Sequence, residues 1–295
     1  MKVRPRRKLT LAAAAVGALF LILSARAPAW FPEGHEIVAI IAADQLTPTA
    51  ASHIARILNV ADEKQGVAGA MAAASLRPDS EFRADHATHS WHYIALCLQD
   101  TRSDLPARCP HGNCVTAKID EYARRLKNHD YDKWGAAGDL AFLIHFVADV
   151  HQPLHAAGNG DRGGTCQPVE VTPPEENLHY AWDDAVVVEL EHQLGTQSPR
   201  ATATALERMD PQSALADKPA NPEQMAWESH ELARSEVYDA LQIPKRPCAP
   251  AGCQSATPGK VVMSEAYMER EAKVAGRQLA LAGYRLASIL NSIWR

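Results

Sequence analysis

The stretch FLIHFVADVHQPLH, residues 142–155, sets three histidines and an aspartate into a run that otherwise reads as a buried helix. Imidazole and carboxylate are costly to bury unless they pair with one another or hold a cation. His145 and Asp149 stand four apart, so on a helix they share a face. Pro153 closes that helix, and His155 follows in the turn. The spacing repeats in NLHYAWDD, where His179 and Asp183 are again four apart. One His-x3-Asp pair on an apolar helix is ordinarily a hydrogen-bonded core pair. Two such pairs and a further histidine point instead to ligands for a cation such as zinc, which takes nitrogen and oxygen donors. His35 in AWFPEGHEI, Asp79 in SLRPDSEFR and His92 in SWHYIAL extend the set. Singly they have ordinary readings: Asp79 as a helix cap or turn residue, His92 as an edge-strand or core histidine.

The elements that must position these groups are helical. Apolar residues recur at helical spacing over 34–46, and Thr47-Pro48 closes that helix and opens another over 48–58. Further helices are expected at 66–75, 115–128, 136–151, 177–194, 222–241 and 260–292, the last long and amphipathic. Alternation of the strand type is scarce outside VEVT at 169–172. The loops at 98–114, 156–176 and 242–259 hold most of the Gly, Pro and Cys. The expected fold is all-α, a single-domain helical bundle with long, disulfide-tied loops.

The first 29 residues read as a secretory signal peptide. A basic start precedes an apolar run from Leu9 to Leu23, and Ala27-Pro28-Ala29 supplies a small-x-small cleavage signal. The run is shorter than the roughly 20 residues a membrane-spanning helix needs. Cleavage after Ala29 would make Trp30 the first residue and leave residues 30–295 as one domain, in the periplasm or secreted. It would also remove six bases and no acid, leaving 24 bases against 35 acids, a net of −11. Such a chain lacks the basic surface of a duplex-DNA binder, and a phosphate substrate would have to be drawn in locally, for example by bound cations. All six cysteines fall after the leader, which suits disulfides in an oxidising compartment. Cys109/Cys114 and Cys248/Cys253 each flank a short turn; pairing them locally, one of the fifteen pairings that six cysteines allow, would leave Cys97 with Cys166.

The chain resembles the zinc-dependent, single-strand-specific S1/P1 nuclease family. The motifs that carry the likeness are W-x3-G-H from Trp30 to His35, P-D at Asp79, W-H-Y at 91–93, the 142–155 run, D-R-G-G at 161–164 and N-L-H-x2-W-D at 177–183. They span most of the chain after the leader, and the last three together are highly specific. The resemblance implies a cleft with three zinc ions. Asp79, His92, His145 and Asp149 would hold one. Asp149, His35 and the amino group and carbonyl oxygen of Trp30 would hold the second, and His155, His179 and Asp183 the third. It further implies attack on phosphorus by a zinc-activated hydroxide, with the third zinc stabilising the leaving 3′ oxygen. Asp79 and Asp149 would thus be catalytic. The expected substrates are single-stranded DNA, RNA and 3′-nucleotides, the products 5′-nucleotides, and the expected state a monomer without a stable protein partner or membrane attachment.

Tyr93, beside His92, corresponds to the family's base-stacking aromatic, with a core tyrosine as the competing reading. Where the family usually has Gly and Asn this chain has Ala148 and Thr165, and Asp184 stands where some members have Asn. The basic residue that follows the Asp79 equivalent by three is here Phe82, so Arg83, one further on, is carried as the candidate. His151 resembles a non-ligand histidine and is read as orienting a carboxylate or capping the helix. A zinc-dependent phospholipase C shares the fold and much of the 145–155 helix, but the polar loops and the D-R-G-G and N-L-H-x2-W-D motifs favour the nuclease. A non-catalytic zinc-binding export protein is the third reading.

Overall fold

In the computed structural model the described residues are 30–60, 63–209, 221–247 and 253–295. The fold is all-α. Helices α1 (Pro32–Asp44), α2 (Pro48–Ile57) and α3 (Glu63–Ser75) lead into a short α4 (Arg77–Ser80) and a 3-10 turn at His86–His92. Next come α5 (Val115–Asn128) and α6 (Gly135–Asp149), then α7 (Leu178–Tyr180), which runs through a π turn at Ala181–Ala185 into α8 (Val186–Leu194). Helix α9 (Pro199–Met209) and α10 (Pro222–Leu232), continued by a π turn at Ala233–Asp239, precede the long α11 (Glu265–Ile293). None of the described helices is long and apolar enough to cross a membrane.

Helix α6 is the axis of the bundle. Every residue from Gly138 to Asp149 is buried, which explains why its sequence is apolar all round rather than striped. It packs on α5, α3 and α11, while α1 lies against α11, α3 and α9. Gly283 lets α11 approach α1 closely, since a Cβ there would stand 2.5 Å from Ile41. Fully buried side chains such as Phe142, Phe146 and Trp182 each contribute roughly 1.5–3 kcal/mol or more by leaving water. The helix starts are set by side chains the sequence places there. Thr47, Asn177, Asn221 and Ser264 accept hydrogen bonds from backbone N–H groups of the first turns they precede, each cap stabilising by about 1 kcal/mol.

Three expectations need correction. The final helix does not begin at 260: Val261 and Val262 pair in parallel with Val169 and Glu170, and the Ser264 cap starts α11 at Glu265. Helix α9 was not foreseen, because PRATATALERM carries a thin apolar face; Thr202, Ala203 and Leu206 are nevertheless buried, and the helix packs on α1. The cysteine pairing also differs. Cys109–Cys114 forms as expected, but Cys166 bonds Cys253, which excludes both Cys248–Cys253 and Cys97–Cys166. The reason is tertiary. Asn159 Oδ1 accepts from Arg246 N, and Gln167 Oε1 accepts from Ala256 N, so the later loop lies along the earlier one. Closing a loop of 87 residues this way restricts the unfolded chain by about 4.5 kcal/mol on the loop-entropy account. Cys97 is disulfide-bonded as well.

Candidate metal centre

Helix α6 ends where the chemistry begins. His145 and Asp149 lie on one face of its last turns, both fully buried. Residue 149 is the last of the helix, and a 3-10 turn at Pro153–Ala156 then delivers His155. His179 sits on α7 and Asp183 in the π turn that follows. Such a turn inserts one wider loop of backbone into a helix and recurs at functional sites. Asp79 stands on α4, and His92 closes the 3-10 turn before the extended residue Tyr93.

These side chains converge into three groups: His35, His145 and Asp149; Asp79, His92 and His145; and His155, His179 and Asp183. Within each group the donor atoms lie within 4.8 Å of one another. Asp149 turns its two oxygens to different partners. Oδ1 is 3.5 Å from His35 Nε2, and Oδ2 is 3.0 Å from His92 Nδ1 and 3.4 Å from His145 Nε2. Asp79 Oδ2 lies 3.6 Å from His145 Nε2. In the third group His155 Nε2 is 3.2 Å from His179 Nε2, which is 3.4 Å from Asp183 Oδ2.

Those distances test whether a metal fits. Two donors bound to one tetrahedral zinc at about 2.0–2.1 Å stand about 3.3–3.4 Å apart, close to most of the separations here and longer than good hydrogen bonds. Two buried carboxylate oxygens, Asp149 Oδ1 and Asp183 Oδ2, have no hydrogen-bond partner among the described residues. A buried carboxylate oxygen without a donor is costly, and a cation removes that cost. The donor set, all nitrogen and oxygen, suits zinc. The residues fit the group.

The surroundings aim the ligands. His145 Nδ1 meets the Ser75 carbonyl at 2.7 Å, His155 Nδ1 the His92 carbonyl at 2.7 Å and His179 Nδ1 the Gly163 carbonyl at 2.7 Å. Donating the Nδ1 proton to a carbonyl leaves each Nε2 lone pair for the centre. Gln152 donates to Asp183 Oδ1 at 2.5 Å. Gly163 must be glycine: its φ is +60°, and a Cβ would come within 2.6 Å of the Leu154 carbonyl. Its loop is held by Asp161, a buried carboxylate whose two oxygens, at 3.1 and 3.0 Å, share the single proton of the Tyr238 hydroxyl. Ser75, Gln152, Asp161 and Tyr238 escaped the sequence reading. Only Asp161 and Gln152 left a trace, as members of the D-R-G-G and H-Q-P-L-H motifs.

Trp30 also reaches this place. Its buried indole donates to the Ala148 carbonyl at 3.1 Å, one residue before Asp149, and the next residue's N–H donates to the Asp183 carbonyl at 3.1 Å. Tyr93 is 41% exposed, which removes the core-tyrosine reading. Its carbonyl accepts from Val115 N, directly after the Cys109–Cys114 bridge. Arg83 is partly exposed, and its charge acts on both His92 and Tyr180. His151 stands apart. Nδ1 meets the Val147 carbonyl in the last turn of α6, as the capping reading expects, but Nε2 meets Arg285 Nη1 at 3.0 Å rather than a carboxylate. Of the other histidines, His53 stacks on Trp294 and His230 meets the Ala156 carbonyl.

Protein stripped of divalent ions carries a defined pH signature. Burial pushes the Asp149 carboxyl up to about 7 and that of Asp183 well above its usual range. Burial drives His145 and His155 well below the usual imidazole range, and His179 down to about 4. For His92 burial is outweighed by the Asp149 hydrogen bond and the Asp79 charge, so it is raised. Above pH about 7.5 the lowered histidines are largely neutral whether the chain is folded or not. Asp183, and to a lesser extent Asp149 and His92, there keep protons in the folded state that the unfolded chain has largely released. Their contribution to stability therefore declines as pH rises. The Tm of chelated protein should fall between about pH 7.5 and 9 in calorimetry. Restored zinc should flatten or reverse that slope, because ion binding displaces the same protons. A flat or rising Tm in the chelated protein would contradict the burial of these carboxyls.

A family model described as S1/P1 Nuclease matches residues 30–295. Among relatives, Endonuclease 2 of Arabidopsis thaliana is 26% identical over 279 residues, covering 90% of this chain and 90% of its own length. Nuclease P1 of Penicillium citrinum is 29% identical over 161 residues, 52% of this chain and 57% of its own. Nuclease S1 of Aspergillus oryzae is 27% identical over 173 residues, 57% and 58% of the two chains.

Proposed function

The chain belongs to the S1/P1 nuclease family, and on that footing we propose that it is an exported, zinc-dependent phosphodiesterase that cleaves single-stranded DNA and RNA to 5′-nucleotides and removes 3′-phosphate from mononucleotides. The observation that carries the reading is the gathering of side chains into three nitrogen and oxygen donor groups, two of which include a buried carboxylate oxygen that no described donor satisfies.

Asp79, His92, His145 and Asp149 would hold one ion; Asp149, His35 and the Trp30 amino group and carbonyl oxygen a second; His155, His179 and Asp183 a third. Zinc held there supplies an activated water near neutral pH and offsets charge on the phosphoryl oxygens. The protein's part is placement. Asp149, with one oxygen toward His35 and the other toward His92 and His145, joins the first two groups and keeps them at fixed separation. The carbonyls of Ser75, His92 and Gly163 hold three imidazoles in one tautomer, so no reorganisation is needed as charge develops. Arg83 offers a cation toward the phosphate, and Tyr93 an exposed face for an unstacked base, which a duplex does not present. A water oxygen bonds to phosphorus as the P–O3′ bond breaks, the 3′ oxygen takes a proton, and the phosphate stays on the 5′ side of the next nucleoside. Processing after Ala29, export and a monomeric state complete the reading.

The test is release of acid-soluble nucleotides from heat-denatured DNA by protein beginning at Trp30, before chelation, after it and after zinc return. Chelation should abolish release and zinc restore it. No release from DNA, RNA or 3′-AMP by zinc-loaded protein would overturn the reading and turn attention to phospholipid substrates.

A further inference from the structure

Among the described residues, four of the Phe, Tyr and Trp side chains stand outside the hydrophobic core: Phe31, Tyr93, Tyr131 and Tyr180. The Tyr131 hydroxyl is engaged by the His129 ring at 2.7 Å. The other three share a placement: each directly follows a candidate ligand, Trp30, His92 or His179. Tyr93 is taken up by the reading above, since it can stack one base. Phe31 and Tyr180 are not.

These two form a pair of their own. Their ring centroids are 6.0 Å apart, with the planes inclined at 44°. Both are partly exposed, although the ligands they follow are buried. The backbone of each is anchored. Phe31 N donates to the Asp183 carbonyl at 3.1 Å, and Tyr180 N donates to the Asn177 cap at 3.0 Å. The paired rings offer a joint aromatic surface beside Asp183 in the third donor group, whereas Tyr93 follows His92 of the second. Burying rings in a core lowers free energy; leaving two of them at the edge of a donor cluster presents a π face where a substrate chain must pass. The Arg83 charge also reaches Tyr180, so a cation for the backbone phosphate accompanies the ring.

We infer that Phe31 and Tyr180 form a second stacking platform, which takes a second base of a single-stranded substrate while Tyr93 takes the first. The inference rests on the proposed nuclease function. A 3′-mononucleotide has one base and leaves this platform empty, whereas a trinucleotide covers it.

The measurement is kcat/KM for a thymidine trinucleotide divided by kcat/KM for thymidine 3′-phosphate, in the wild type and in Phe31→Leu/Tyr180→Leu, with bound zinc assayed for both. Stacking of one base on an aromatic ring corresponds to about a 5- to 150-fold effect. The ratio should fall by that factor, through KM, with zinc content kept, and Tyr180→Trp, which preserves a stacking face, should restore it. An unchanged ratio overturns the inference. So does a loss of zinc that lowers both activities in step, since the pair would then only hold the ligands. Wild-type protein that cuts neither substrate would instead defeat the nuclease reading itself.

Discussion

Asp149→Asn should cost at least about 10³-fold in kcat/KM on denatured DNA and should lower bound zinc, both at the first two donor groups. Asp149 is the residue those groups share: its Oδ1 faces His35, and its Oδ2 faces His92 and His145. An amide oxygen carries no full charge and its nitrogen cannot ligate, so one of the two bridged contacts is lost outright. The stated factor corresponds to about 4 kcal/mol, within the several kcal/mol a Lewis-acid centre supplies to a phosphoryl transition state. The substitution keeps the shape of the side chain. It also removes a carboxyl whose burial raises its pKa to about 7. Chelated Asp149→Asn protein should therefore melt no lower than chelated wild type at pH 8, which separates loss of the centre from loss of the fold. Metal content by atomic absorption, together with the two melting curves, decides the matter. Full zinc content with activity within tenfold of wild type would remove Asp149 from its bridging role.

A single residue added ahead of Trp30 should be nearly as damaging, by about 10²-fold or more on the scale of removing one charge-stabilising group from a transition state. A free α-amino group has a pKa near 7.7–8.0 and offers a lone pair at neutral pH. The same nitrogen within a peptide bond has its lone pair delocalised and cannot ligate. The structure places that residue under tight constraint, with the indole on the Ala148 carbonyl and the Phe31 N–H on the Asp183 carbonyl. An added glycine changes none of those contacts, so stability without metal should match that of protein beginning at Trp30. Zinc titration by calorimetry should show one site fewer. Equal zinc stoichiometry and equal activity in the two proteins would mean that the amino group takes no part.

Much of this centre is legible from spacing because its ligands are local in sequence. His145 and Asp149, like His179 and Asp183, stand on one face by helical geometry, and the proline after α6 sets His155 in a turn. The buried helix that carries the first pair also announces itself, since polar residues in an apolar run need a partner. His35, Asp79 and His92 were different. Each had an ordinary reading alone, and only the bundle brings α1, α4 and the 86–92 turn against α6. Helix α9 was hard to see because its apolar face is thin, and only packing on α1 shows that Ala203 and Leu206 belong to the core.

The sequence by itself determined the donor types, their order, the helical class and the proline and glycine positions where the chain must turn. These follow from local geometry, in which three or four residues decide the outcome. Tertiary structure alone decided what is distant along the chain. It turned the two Asp149 oxygens to different histidines, laid residues 244–247 and 253–257 along the 156–176 loop so that Cys166 meets Cys253, and set Tyr238 beneath Asp161 to hold the loop that aims His179. It also separated His151 from the donor groups, because Arg285 of α11 meets its ring. The physical reason is one of range. A helix fixes neighbours four residues apart through its own hydrogen bonds, whereas contacts across 50 to 100 residues form only when the whole core packs and its buried polar groups find partners.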